Sequence, residues 1–89
     1  MAMLVVHLQV NDYAAFRKVF DNATTTRTRF GSTGHKVYQS PSDPNEVTIH
    51  SEWKNVDLAK VYAASNELKE AMKDAGVISQ PGLTFLTEA

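Results

Sequence analysis

The stretch Glu46–Trp53, EVTIHSEW, separates into two sets when every second residue is taken. Val47, Ile49, Ser51 and Trp53 make one set; Glu46, Thr48, His50 and Glu52 make the other. Side chains alternate across a strand, so the first set reads as a core face. The second places a histidine among two acids and a hydroxyl. MLVVHLQV, residues 3–10, repeats the pattern, with Leu4, Val6, Leu8 and Val10 apolar and Met3, Val5, His7 and Gln9 mixed. Two strands of this kind predict a sheet covered on one side and half-polar on the other.

Working outward, Asn11 or Asp12 can cap a helix. Tyr13, Phe16, Val19, Phe20 and Ala23 follow at 3-4 spacing as one apolar stripe. The run Thr24–Thr26 weakens this pattern, because β-branched residues lose rotamer freedom in a helix. The helix is expected to reach Arg27 or Arg29 and stop before Gly31. GHKVYQS (34–40) reads as a second strand, and PSDPN (41–45) as the turn joining it to the third. A second helical region opens at Asn55, breaks near Ser65 and stops at Gly76, which can take the left-handed conformation. Its apolar positions are Leu58, Val61 and Tyr62, then Leu68, Ala71, Met72 and Ala75. LTFLT (83–87) is the last strand.

The order β-α-β-β-α-β is the split-βαβ, ferredoxin-like plan, an α+β fold with a four-stranded antiparallel sheet. Right-handed crossovers give the strand order 4-1-3-2, with both helical regions on one face. One domain over residues 1–89 is expected. A chain this short buries only about 60–65% of its unfolded surface, so a partner subunit would add to a modest core.

Composition removes several function classes. Net charge is −1 and the basic residues are scattered, which gives no electrostatic basis for nucleic-acid binding. There are no cysteines, hence no thiolate metal site and no cysteine nucleophile. No apolar run approaches the roughly 20 residues of a membrane span. The first ten residues have no basic start and soon meet Asn11 and Asp12, unlike a signal peptide. A soluble cytoplasmic protein without membrane contact is the expectation. No phosphate-cradling glycine loop and no Ser/His/Asp arrangement is present.

The segment DPNEVTIHSEWKNVDLAKVYAASNELKEAMKDAGV (43–77), with PGLTFL (81–86), resembles the dimeric α+β barrel superfamily. It is similar to the small antibiotic-biosynthesis-monooxygenase-like proteins. The most specific parts are the DPNEV hairpin with its EW strand end and the S-x-E-L-x-x-A-M-x-x-A-G-V run. The resemblance implies a homodimer in which two sheets face each other and enclose a lumen. It also implies cofactor-independent oxygenase chemistry on an aromatic, polyketide-like substrate, in which a base removes a proton and the substrate carbanion reacts with oxygen. The haem-degrading branch uses a histidine on the second helical region and an asparagine on the first strand. Here His7, His35 and His50 all fall on strands and no asparagine precedes Asn11, so haem degradation is disfavoured and no cofactor is expected.

On this reading Val5, His7, Gln9, Thr48, His50 and Glu52 line the lumen. The register of the second strand leaves a choice between His35 with Val37 and Lys36 with Tyr38, since a one-residue slip reverses the faces. His50 is the candidate base, because imidazole titrates near neutrality. His7 and Tyr38 are candidates to hold an oxygen-bearing substrate. Two other readings stand beside this one. The lumen can be a structural space filled by its own side chains, or His7, His50 and Glu52 can hold a divalent metal. Trp53 and Met72 read as packing residues, and the mixed charges around Glu67–Lys73 as a solvated helix face.

Overall fold

β1 (Ala2–Gln9) and β3 (Glu46–Trp53) run antiparallel side by side at the centre of the sheet. β2 (Ser32–Gln39) flanks β3 and β4 (Gly82–Thr87) flanks β1, giving the order β2-β3-β1-β4 with every neighbour antiparallel. The computed structural model describes all 89 residues. The alternation read from the sequence is physical. Leu4, Val6, Leu8, Val47, Ile49 and Trp53 are buried, while Val5, Gln9, Thr48 and His50 are only partly covered and His7 is exposed.

Four helices cover the apolar face: α1 (Tyr13–Asn22), α2 (Thr24–Phe30), α3 (Val56–Ala63) and α4 (Asn66–Asp74). Asp12 caps α1 by accepting from the Ala14 amide at 3.0 Å, Asn55 caps α3 from Leu58 at 2.9 Å, and Ser65 caps α4 from Leu68 at 3.1 Å. Phe16 and Phe20 of α1, Ala59 and Tyr62 of α3 and Ala75 join the strand residues in one buried cluster. Burying a large apolar side chain of this kind stabilises by about 1.5–3 kcal/mol.

Three boundaries differ from the sequence expectation. The first helical region is two helices broken at Ala23, whose φ of −87° and ψ of 2° leave the helical range. The Thr24 hydroxyl donates to the Asp21 carbonyl at 2.8 Å, and the Ala23 amide is shared between the Val19 and Phe20 carbonyls. Threonine back-bonding of this kind bends a helix. β2 starts two residues early, at Ser32, through an irregular register between Ser32 and Gly34. Val10 lies outside β1 and makes a single bridge to Val77.

The chain turns from α2 into β2 at Gly31, where φ is +116°. A Cβ there would sit 2.7 Å from Leu58 Cδ1, so glycine serves both the left-handed backbone and the approach of α3.

Candidate functional site

The two faces of the sheet offer different chemistry. On the open face, His50 stands opposite Val5 on β1 and Lys36 on β2, and Tyr38 stands opposite Thr48. Lys36 and Tyr38 therefore share the open face, and His35 and Val37 turn under the helices. The Tyr38 and His50 rings are 4.9 Å apart, tilted by 60°. His7 belongs to a separate group. Its Nδ1 lies 3.0 Å from Thr48 Oγ1 and its Nε2 lies 3.2 Å from Glu46 Oε1. Gln9 is drawn off further, donating to Asp43 Oδ2 at 3.1 Å.

Glu52 pairs with Met3 and Gly34, on the far side of His50 from His7. Thr48, the partner of His7, and Glu52 are four residues apart on one strand, about 13 Å. His7, His50 and Glu52 thus do not converge, and no group of three histidine, aspartate or glutamate side chains in the chain is arranged to hold a metal ion. The antiparallel register, which strings these residues along the sheet, is the physical reason.

On the helix face, the sheet and the helices line a partly open apolar cavity of about 60 Å³. Its walls include Leu4, Val6, Phe20, Leu68, Met72 and Val77. It opens toward a groove of about 300 Å³ along α1 and α4, which shares Val19, Ala23, Tyr62 and Ala71 with it and adds Glu67, Glu70 and Asp74. An unfilled apolar space of 60 Å³ costs roughly 1–1.5 kcal/mol relative to a packed core.

Three polar groups enter this apolar space: Ser51, Tyr62 and Arg27. Ser51 Oγ donates to the Leu4 carbonyl at 3.1 Å and accepts from Trp53 Nε1 at 2.8 Å, so its hydroxyl is occupied in fixing the buried indole. Tyr62 packs between Trp53 and Phe30, with ring centroids 5.1 and 5.3 Å away. Burial raises its pKa above the ordinary tyrosine value, which keeps the hydroxyl protonated and able to donate.

Arg27 is 5% exposed. Its guanidinium carbon lies 3.8 Å from the centroid of the Phe20 ring, and Nη2 donates to Thr24 Oγ1 at 3.1 Å. Its Nε has no hydrogen-bond partner. Desolvation lowers its pKa, opposed by Tyr62 and then Asp21. Asp21 itself is engaged by Arg17, at 3.0 Å. His35, with its ring centroid 4.9 Å from that of Phe20, also has a lowered pKa, from burial first and then from the Arg27 and Arg17 charges. In the sequence Arg27 stands out only as an expected helix end. Its signal was helical spacing: Phe16, Phe20, Ala23 and Arg27 continue one stripe.

This architecture matches a known family. The family model described as antibiotic biosynthesis monooxygenase covers residues 1–74. The chain belongs to the antibiotic biosynthesis monooxygenase family. Among solved structures, it is similar to a Bordetella bronchiseptica protein described as a candidate antibiotic biosynthesis monooxygenase. The identity is 19%, over 99% of this chain and 96% of that one, with a TM-score of 0.83. A Deinococcus radiodurans protein of the same description is 20% identical over 100% and 93% of the two chains, with a TM-score of 0.75. SnoaB, a cofactor-independent oxygenase from Streptomyces nogalater, is 18% identical over 99% and 94%, with a TM-score of 0.74. At these identities the likeness is one of fold. No curated protein matches the sequence significantly. No helix is long and apolar enough to cross a membrane.

Proposed function

We propose that this family member is a cofactor-independent monooxygenase that takes an aromatic, polyketide-like molecule into the cavity between sheet and helices. The observation that carries the reading is an apolar space left open in an otherwise packed core, with Arg27 and Tyr62 in its wall. Family membership and the fold shared with SnoaB support the class of reaction.

The chemistry suited to these walls is oxidation of a ring CH2 that lies next to a carbonyl. Loss of one proton gives an enolate-type carbanion. That carbanion supplies the electrons to O2, one oxygen atom stays as the new C=O, and the other leaves as water with both hydrogens. The cavity walls contain no carboxylate and no imidazole. The proton therefore leaves to solvent through the groove, and the walls act on acidity. The neutral Tyr62 hydroxyl donates a hydrogen bond to the oxyanion of the ionised substrate in a medium of low dielectric.

The open face is the surface for a second copy. Tyr38 and Leu86 are 46% and 47% exposed there, beside the half-covered Met3 and Val5. An apolar strip on a broad sheet is a subunit contact in the making. The contact between Tyr38 and His50 favours a second reading. In it the lumen between two copies is the reaction chamber, lined by Val5, Gln9, Thr48 and Glu52, with His50 as base and His7 holding substrate.

Oxygen uptake with a panel of polyhydroxylated tricyclic aromatics, measured on the wild type, Ala71→Leu and His50→Ala, tests both. Ala71→Leu narrows the cavity on a helix that leucine suits. Loss of uptake in Ala71→Leu with His50→Ala unchanged is the expected result. The reverse pattern moves the reaction to the open face.

A further inference from the structure

Arg27 poses a separate question, because the fold does not satisfy it. A buried arginine ordinarily has an anionic partner. Here the carboxylate nearest in effect, Asp21, is held by Arg17 through both of its oxygens, at 3.0 and 3.2 Å. Thr24 accepts one N–H, the guanidinium carbon lies 3.8 Å from the Phe20 ring centroid, the neighbouring Tyr62 hydroxyl favours the charged form, and the Nε proton has no acceptor. No acid lines the cavity. The site thus holds one net positive charge in apolar walls, with the buried Nε–H unused.

We infer that Arg27 is the anchor for a carboxylate on the ligand, whose apolar body lies in the cavity and the groove beside it. The inference rests on the cavity reading above and adds the ligand's charge to it. The single charge follows from the surroundings. One delocalised negative charge neutralises one guanidinium, and a planar carboxylate matches parallel N–H donors. A dianion such as a phosphate monoester would leave an uncompensated charge in apolar walls. It would also pass Glu67, Glu70 and Asp74 in the groove.

Size sets a further condition. A cavity of about 150 Å³ holds benzene, and the space here is about 60 Å³. The wall able to give way is α4, which has no fully buried residue and presents Leu68 and Met72 to the cavity. Methionine is the side chain best suited to re-pack around a guest.

The test uses benzoate and benzamide, a pair of one shape and different charge. Binding is read from the fluorescence of Trp53, the only tryptophan, which packs against Tyr62, and from the NMR signal of the Arg27 Nε–H. A charge-assisted bond to a buried guanidinium predicts benzoate binding about tenfold or more tighter than benzamide. It also predicts a shift of the Arg27 Nε–H signal with benzoate alone. In Arg27→Met the preference disappears while benzamide binding persists. Arg27→Gln serves as the second variant if the first does not fold, and the wild-type Nε–H shift needs no variant. Equal affinities with an unmoved Nε–H signal overturn the anchor and leave the cavity reading standing. Failure of both molecules to bind overturns the two together.

Discussion

The Arg27 guanidinium carbon lies 3.8 Å from the centroid of the Phe20 ring, on the helix side of the sheet. This stacking lets a charge exist inside an apolar wall, since a cation over an aromatic face gains about 0.5–2 kcal/mol. It does not satisfy the Nε proton. The polar residues legible from strand alternation lie on the other side of the sheet. The molecule therefore carries two distinct surfaces of chemical interest, and they call for different tests.

Ser51 is the buried polar link between β3 and β1. It receives the Trp53 Nε1–H at 2.8 Å and donates to the Leu4 carbonyl. Ser51→Ala leaves the indole N–H buried without an acceptor. The expected loss of stability is about 1–3 kcal/mol, read as a lower urea midpoint by Trp53 fluorescence. Retention of the wild-type midpoint would show that the indole finds another acceptor.

Gly31→Ala places a Cβ at a φ of +116° and 2.7 Å from Leu58 Cδ1. Left-handed strain and the clash together predict a loss of roughly 1–3 kcal/mol. Urea denaturation checks the value. Measured against Leu58→Ala alone, adding Gly31→Ala should cost only the backbone part, and no added cost would remove the strain argument.

His35 gives the fold a pH dependence. Burial lowers its pKa below the ordinary 6.5, and the Arg27 and Arg17 charges lower it further, against Asp21. The folded chain then binds fewer protons than the unfolded chain as pH falls below about 6.5. Stability is present in full above that value and declines as pH drops through it toward the lowered pKa. The melting temperature should fall more between pH 7.5 and 5.5 in the wild type than in His35→Phe. Parallel curves for the two proteins would exclude His35 as the source.

How much of this was legible in the sequence follows from which forces act locally. Alternation in residues 3–10 and 46–53 reports burial directly, and the strand order and the face under the helices followed from it. The caps were readable to within a residue, Asn11 or Asp12 for α1 and Asn55 for α3, because each satisfies its own helix end. The break at Ala23 was not, since it depends on one threonine rotamer reaching the Asp21 carbonyl. The facing of Lys36 and Tyr38 depends on pairing across the hairpin, which alternation within β2 does not specify. The cavity was the least legible feature. It is the space that Leu68, Met72 and their neighbours leave unfilled, and no single residue encodes it.

The half-covered open face predicts self-association. Light scattering after size exclusion at micromolar concentration should give twice the 9.9 kDa chain mass. Leu86→Lys, opposite Met3 on that face, should give the monomer with the fold kept. A wild-type monomer would remove both the subunit contact and the enclosed lumen, while leaving the cavity under the helices intact.

The measurement to make first is an amide chemical-shift map of the protein titrated with 1-naphthol, a neutral aromatic that either face could accept. Binding between sheet and helices predicts shifts concentrated at Phe20, Ala23, Arg27, Ala71 and Ala75, with little change at Val5, Tyr38 and His50. Shifts concentrated at Val5, Tyr38 and His50, with the helical residues unmoved, would contradict the cavity as the ligand site and place the ligand on the open face.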